Sequence, residues 1–280
     1  MRIVDAHHHL WGASALREPW LAAVGLAPLR REFTADALTA EAHAAGVDAT
    51  VVVQTVSRIE ETSGLLALAD TSDLIAGVVG WVDLTAPGVA DDIAALREGP
   101  GGRHLVGIRH QAQDEQDPHW LERPEVVRGL KAVAEAGLVY DLLVLAHQLP
   151  AATAVTGAVP ELSFVLDHLG KPSVAQGELQ PWAAELARLA ARPHVTAKLS
   201  GLVTEADWRH WTTAGLRPFT DTALDCFGPD RLMFGSDWPV CTLAADYARV
   251  LGTARELTDA LTDQELEAVF GGTAARVYGI

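Results

Sequence analysis

Short apolar runs alternate with longer amphipathic runs along the whole chain. The apolar runs have the length of strands, and several are almost continuously apolar, as is typical of strands covered on both faces of a sheet. They predict eight strands: Ile3–His9, Ala49–Thr55, Leu74–Val82, Leu105–Gln111, Val139–Leu145, Leu162–Asp167, Val195–Leu199 and Leu232–Ser236.

The stretches between these runs place apolar residues at helical spacing. They predict nine helices: Thr34–Ala45, Ile59–Thr71, Val89–Arg97, Pro124–Ala136, Leu149–Gly157, Pro181–Ala191, Thr204–Phe227, Leu243–Leu257 and Thr262–Phe270. Thr204 and Thr262 each stand three residues before an acidic residue, which is the spacing of a capping box at a helix start. Gly46, Gly137 and Gly157 each follow a helical run, where a glycine commonly ends a helix.

The alternation of strands and helices predicts an α/β protein with parallel strands and right-handed crossovers. Eight such units predict a closed (β/α)8 barrel, a TIM barrel, with residues 1–280 as a single domain. An open doubly wound sheet is the alternative. The sequence has neither a GxGxxG motif opening a helix nor a GxxxxGK motif, so the usual signatures of nucleotide binding are missing. We expect the irregular segment Leu10–Phe33 to form a loop over the barrel mouth.

Composition narrows the possible functions. Hydrophobic residues make up 49% of the 280 residues, which supplies a large core and excludes a disordered chain. The formal net charge of −16 argues against nucleic acid as a partner, because an acidic surface repels phosphates. Cys226 and Cys241 cannot form a disulfide framework, and no apolar run predicts a signal sequence or a membrane span. We therefore expect a cytoplasmic protein with a small-molecule substrate, either a monomer or a homo-oligomer.

Polar residues end the first predicted strand, and the carboxyl ends of strands are where barrel active sites form. Side chains on a strand alternate between its faces, which predicts that Asp5, His7 and His9 share one face and His8 the other. Two imidazoles at this spacing can reach one metal ion. A hydrogen-bonded pair of core histidines is the alternative.

Two further candidates follow later strands. His168 ends the sixth strand, and Asp237 follows the eighth directly. Asp237 fits either a turn cap or a base and metal ligand in the barrel mouth. Since barrel closure makes the first and eighth strands neighbours, His7, His9, His168 and Asp237 are predicted to converge. Three imidazoles and a carboxylate suit zinc or another first-row divalent ion, and Asp237 can take a proton from water.

Other residues at strand ends or in the adjoining loops are candidates for substrate binding. The basic ones are Arg109, His147 and Lys171, and the aromatic ones are Trp11, Trp81 and Trp238. A guanidinium can clamp a carboxylate or carbonyl oxygen, and an indole can stack on the apolar face of a sugar ring. The structural alternatives are a solvated arginine or lysine, a histidine that begins a helix, and tryptophans that belong to the core.

Three segments resemble the amidohydrolase superfamily: Asp5–Trp11, Leu166–Pro172 and Phe234–Pro239. They are most similar to its metal-dependent hydrolase branch, which contains sugar-acid lactonases acting on lactones such as L-fuconolactone and L-rhamnonolactone. The order HxH, DHLGKP and GSDWP makes this resemblance specific.

The resemblance implies a (β/α)8 barrel that hydrolyses a lactone, with Asp237 activating water beside His7, His9 and His168. It implies catalytic roles for Asp237 and His168 and substrate binding by Arg109, His147 and Lys171. Members with two metals carry a lysine or an acid on the fourth strand, whereas this chain has Arg109, so at most one divalent ion, zinc in the first place, is expected. A metal-free reaction is the alternative. A decarboxylase acting on an unsaturated or aromatic carboxylate and a non-catalytic sugar-acid binding barrel are the competing functions.

Overall fold

A computed structural model describes residues 1–13, 15–23 and 25–280. Eight parallel strands form one sheet in sequential order, β1 to β8. They are Val4–His8, Ala49–Val53, Ile75–Gly80, Leu105–His110, Val139–Leu142, Phe164–Leu166, Val195–Leu199 and Leu232–Phe234. Beyond β8, Asp237 N donates to His7 O at 2.8 Å and His9 N donates to Trp238 O at 2.6 Å, which joins the last strand to the first. The predicted α/β barrel with a single domain is confirmed.

Helices separate the strands as the amphipathic pattern predicts. They are α1 Ala35–Ala45, α2 Ile59–Ala69, α3 Val89–Glu98, α4 Pro124–Glu135, α5 Leu149–Ala158, α6 Trp182–Ala190, α7 Leu202–Glu205, α8 Thr213–Phe227, α9 Tyr247–Leu257, α10 Asp263–Glu267 and α11 Thr273–Tyr278. A π-helical turn, Ala268–Gly272, joins α10 to α11. Short 3₁₀ helices lie at Ala15–Arg17, Pro19–Ala22, Ala27–Leu29, Gly102–His104, Ala112–Asp114, Trp120–Glu122, Ala146–Gln148, Asp167–Gly170, Val174–Gln176, Pro229–Arg231 and Val240–Leu243.

The helix predicted over Thr204–Phe227 is wrong, because the chain is interrupted between α7 and α8. Asp207 Oδ1 accepts from the amides of Arg209 at 2.9 Å and His210 at 3.2 Å, so this side chain forms a turn instead of capping a helix. Thr212 caps α8 instead, by accepting from Gly215 N at 3.1 Å.

The other predicted helix ends have mixed outcomes. The capping box at Thr262 is confirmed, and Gly46 and Gly137 end α1 and α4 in the left-handed conformation. Gly157 lies inside α5, so its prediction as a helix end is wrong. The helix predicted from Leu243 begins only at Tyr247, where the Asp246 side chain accepts from a backbone amide of the first turn.

The barrel interior changes from apolar to polar along its axis. One apolar cluster fills its lower part and is closed by Ala274 and Tyr278 of α11; it includes Val51, Val79, Val139, Val165 and Met233. Above it lie fully or almost fully buried charged residues, Arg109, Asp141, Asp167 and Lys198. The strands therefore bury charge in the layer directly beneath their carboxyl ends.

The pleat of β1 is interrupted by an extra residue. Asp5 pairs with Thr50 but His8 pairs with Val52, so three steps along β1 oppose two along β2. Asp5 consequently turns outward, where it accepts hydrogen bonds from Ser236 Oγ at 2.6 Å and Tyr247 OH at 2.8 Å. The prediction that Asp5 shares a face with His7 and His9 is wrong for this reason.

Among the described residues, the longest apolar stretches in helices fall short of what is needed to cross a membrane.

Candidate active site

A cavity of about 190 Å³ opens where the strands end. His9, Arg109, His168 and Asp237 form its base, since each lies at or just beyond the carboxyl end of a strand. One side is lined by Trp11, Trp20, Leu26 and Leu29 from the segment 10–33, of which residues 14 and 24 lie outside the described structure. This agrees with the expectation of a loop over the barrel mouth.

The four residues predicted to converge come together here. The Nε2 atoms of His7, His9 and His168 lie 3.9, 3.6 and 3.9 Å from Asp237 Oδ1. The two β1 imidazoles approach each other, with 3.1 Å between their Nε2 atoms. Residues from the start, middle and end of the chain therefore surround one point, as barrel closure requires.

Each imidazole is oriented through its other ring nitrogen. His9 Nδ1 lies 2.8 Å from Val53 O, His168 Nδ1 lies 2.9 Å from Ser200 Oγ, and His7 Nδ1 lies 3.2 Å from Asp167 Oδ1. A carbonyl oxygen only accepts, so His9 carries its proton on Nδ1 and presents the Nε2 lone pair to the cavity. Such outer partners are typical of histidines that bind metals.

Three of these residues form a group that can hold a divalent ion. His7, His168 and Asp237 offer ligand atoms that all lie within 4.8 Å of one another. Nitrogen and carboxylate donors suit zinc and related ions, and the buried donors are already oriented. His9 lies beside this group rather than within it, although it contacts His7 and Asp237.

Burial and the neighbouring residues together decide the charge of His7, His168 and Asp237. Burial lowers the pKa of His7 well below its usual value and that of His168 to about 4, so both rings are neutral at neutral pH. Burial raises the pKa of Asp237, but His168, His9 and Lys171 together lower it by more, so that its pKa lies below the usual value. Asp237 is therefore an ionised carboxylate facing the neutral rings of His7 and His168.

A buried charge network supports the site from below, and the sequence analysis missed it. Lys198 Nζ lies 2.5 Å from Asp141 Oδ2, 3.0 Å from Asp167 Oδ1 and 3.1 Å from His7 Nδ1. Tyr278 OH donates to Asp141 at 2.9 Å, and burial raises the pKa of Asp141 to about 6. The available signal is a single charged residue within an apolar strand, in VTAKL and in VYDL.

Arg109, Lys171 and Trp11 lie in the cavity lining, as substrate binding requires. Arg109 Nη1 donates to Asp167 at 2.9 Å, and Lys171 Nζ lies 3.7 Å from Glu205 Oε1. Both cations are therefore held in place while they face the cavity.

The other three candidates lie outside this lining, and substrate binding by them stays a prediction. His147 is exposed in a 3₁₀ turn that begins beyond β5. Trp81 Nε1 donates to His110 Nδ1 at 3.1 Å. Trp238 is buried against Phe33, with 5.3 Å between ring centroids, and it directly follows Asp237, whose φ is 56°.

A glycine leaves room for His168. A Cβ on Gly201 would lie 2.7 Å from His168 Nδ1, and Gly201 has a φ of 70°. We expect Gly201→Ala to displace the ring and lower kcat/KM at least about tenfold, in addition to destabilising the fold by about 2 kcal/mol. Gly137→Ala is the matched control, because Gly137 has a φ of 68° and no atom of the described residues lies within 4 Å of its Cβ position. Steady-state kinetics and urea unfolding separate the effects, and equal kcat/KM for both variants would contradict this role of Gly201.

His8 faces away from the cavity, and its burial links stability to pH. Its Nε2 lies 3.0 Å from Thr50 Oγ1, and burial together with the neighbouring His9 lowers its pKa from 6.5 to about 3. Below the pKa that His8 has in the unfolded chain, the unfolded chain binds a proton that the folded chain does not bind. The free energy of unfolding therefore decreases by about 1.4 kcal/mol for each unit by which the pH is lowered.

We therefore expect His8→Gln to make the dependence of unfolding free energy on pH shallower by about that amount between roughly pH 6 and pH 4. Urea unfolding of chelator-treated protein measures it. His7 and His168 keep their contributions in both proteins, and an unchanged slope would show that folded His8 takes up its proton as the unfolded chain does.

A barrel that collects imidazoles, a carboxylate and two cations at the carboxyl ends of its strands defines a class of hydrolytic and related enzymes. The amidohydrolase family model matches residues 4–280, and the chain belongs to this family.

The chain is 43% identical over 288 residues to L-fucono-1,5-lactonase of Burkholderia multivorans, covering 99% of this chain and 96% of that protein. It is 37% identical to L-fucono-1,5-lactonase of Burkholderia ambifaria, covering 99% and 95%. A crystal structure of an amidohydrolase from Burkholderia multivorans with bound zinc is 43% identical, with complete coverage of both chains and a TM-score of 0.94.

Proposed function

We propose that this protein hydrolyses the lactone of a sugar acid, with L-fucono-1,5-lactone as the first substrate to test. The names of the two relatives that match almost the whole chain support the substrate class. The observation that carries the reaction type is the convergence of three Nε2 atoms on the ionised Asp237 carboxylate at the base of the cavity.

Asp237 is the base in the proposed reaction. It takes a proton from water as the water oxygen bonds to the lactone carbonyl carbon. The protonated carboxyl then returns this proton to the ring oxygen as the bond between that oxygen and the acyl carbon breaks. The new carboxylic acid releases its remaining proton to solvent.

The other residues hold the reacting groups. His168 is neutral and anchored on Ser200, so that it can orient the water or the carbonyl beside Asp237. Arg109 and Lys171 place positive charge along the cavity, where negative charge develops on oxygen. A zinc ion held by His7, His168 and Asp237 would polarise the carbonyl and make water more acidic.

Initial rates on a panel of lactones test the proposal. The panel contains L-fucono-1,5-lactone, L-rhamnonolactone and the unsubstituted δ-valerolactone, with proton release followed by an indicator and carbon dioxide followed in parallel. We expect proton release well above the rate of spontaneous opening and no carbon dioxide. Rates equal to the buffer blank on every lactone would refute it, and carbon dioxide release from an added aromatic carboxylate would identify a decarboxylase instead.

Zinc content provides a separate measurement. We expect about one zinc per chain after equilibration and dialysis, and a large loss of bound zinc in His7→Ala or His168→Ala. His8→Gln is the matched control, since His8 faces the other side of β1. Zinc retained equally by all variants would place the ion elsewhere.

A further inference from the structure

Within the described residues, four buried polar atoms that belong to residues of the cavity lining have no hydrogen-bond partner. They are Trp20 Nε1, Thr55 Oγ1, Gln113 Oε1 and Arg109 Nε. Buried polar groups are almost always paired in folded proteins, and an unpaired one destabilises the protein until a partner arrives. These four atoms belong to residues around one cavity, which is where a bound ligand can supply hydrogen bonds.

Several other polar groups of the lining are already engaged. Arg109 Nη1 donates to Asp167, Lys171 lies beside Glu205, and His9 and His168 are anchored as described. Gln111 is the instructive comparison: its Nε2 donates to Thr55 O at 3.3 Å, and its Oε1 accepts from Ser57 Oγ at 3.2 Å. The Gln111 side chain therefore stabilises the cavity lining by linking Thr55 to Ser57.

The backbone around the unpaired groups is fixed independently of them. Thr55, only 4% exposed, donates its amide to Glu61 Oε2 at 2.8 Å. Gln113 donates its amide to Leu143 O at 3.0 Å. The backbone amides of both residues are therefore paired, whereas Thr55 Oγ1 and the side-chain oxygen Gln113 Oε1 have no partner among the described residues.

These groups offer both donors and acceptors. An indole N–H only donates, an amide oxygen only accepts, and a hydroxyl does both. Hydroxyl groups on a sugar acid can satisfy all three kinds, whereas a lactone without hydroxyls leaves them unpaired.

We propose that Thr55, Gln113 and Trp20 form a hydroxyl-binding subsite that selects polyhydroxylated lactones over unsubstituted ones. This inference rests on the proposed lactonase function and adds to it the residues that read the substrate. It assigns no part of the bond-breaking chemistry to them.

The test combines two variants with two substrates. Thr55→Val and Gln113→Met preserve side-chain size and remove the hydrogen-bonding groups. For each we expect kcat/KM on L-fucono-1,5-lactone to fall about tenfold and kcat/KM on δ-valerolactone to stay within about twofold of wild type. Thr55→Ser, which keeps the hydroxyl, is expected to retain most of the activity on the sugar lactone.

Gln111→Met is the matched control. Because the Gln111 side chain stabilises the cavity lining, removing its hydrogen bonds is expected to lower kcat/KM on both lactones by a similar factor. Equal losses on both substrates for Thr55→Val and Gln113→Met would show a merely structural role, and no loss on either would show that these groups do not contact substrate; each result overturns the subsite.

Failure of the proposed function gives a different result. If the wild-type protein opens neither lactone, the subsite is judged by calorimetric binding of L-fuconate and of 5-hydroxyvalerate. The subsite is supported, even without lactonase activity, if L-fuconate binds more tightly than 5-hydroxyvalerate and Gln113→Met weakens the binding of L-fuconate about tenfold. Binding of the two acids with equal affinity, or of neither, refutes it.

Discussion

Asp237→Asn is expected to lower kcat on the best lactone by about a thousandfold, because the amide cannot accept the proton that the carboxylate takes from water. The substitution keeps the shape of the side chain, so KM is expected to change by less than about threefold. Steady-state kinetics on the purified variant measure both constants, corrected for spontaneous opening of the lactone.

Two controls isolate the loss of the base. Asp237 also belongs to the group that can hold an ion, so zinc content is measured beside activity, and the variant is assayed again after loading with zinc. Urea unfolding checks that the fold is retained. A kcat within about threefold of wild type would exclude Asp237 as the base.

Lys198→Met is expected to destabilise the protein by about 3–5 kcal/mol, because it leaves the buried Asp141 without a cation and Asp167 with Arg109 alone. Lys198 and its partners Asp141 and Asp167 are each 0% exposed, and its Nζ lies within 3.0 Å of both carboxylates. Urea unfolding at neutral pH measures the change.

The charge balance of the network supplies a sharper test. Arg109 and Lys198 face Asp141 and Asp167, two positive and two negative groups. Lys198→Met combined with Asp141→Asn restores the balance, so the double variant is expected to be more stable than Lys198→Met alone. Lys131→Met is the surface control, with an expected change within about 0.5 kcal/mol. A double variant no more stable than the single one would contradict the role of charge balance.

The same network connects the end of the chain to the site. Tyr278 of α11 donates to Asp141, Asp141 holds Lys198, and Lys198 contacts His7. The cost of burying these charges is offset by their mutual pairing and by the orientation that they impose on a residue in contact with Asp237.

Local pattern determined the architecture of this protein. Runs such as Ala49–Val53 and Ile75–Gly80 are almost wholly apolar because both faces of a barrel strand are buried, so consecutive residues carry the signal. The convergence of His7, His168 and Asp237 follows from strand order and closure, so it too was accessible from the sequence.

Only the tertiary structure decided the direction of side chains at places where regular strand pairing is interrupted or ends. The extra residue in β1 turns Asp5 outward, and the backbone at Asp237, just before the buried Trp238, is left-handed. Neither feature has a periodic signature in the sequence. Lys198 and Asp141 are 57 positions apart in the sequence, and only the folded structure shows that Lys198 Nζ lies 2.5 Å from Asp141 Oδ2. The alternation of apolar and polar residues indicates which positions are buried. It does not indicate the direction of a side chain at a bulge or strand end, or the partner of a buried charge, because both depend on packing that only the closed barrel creates.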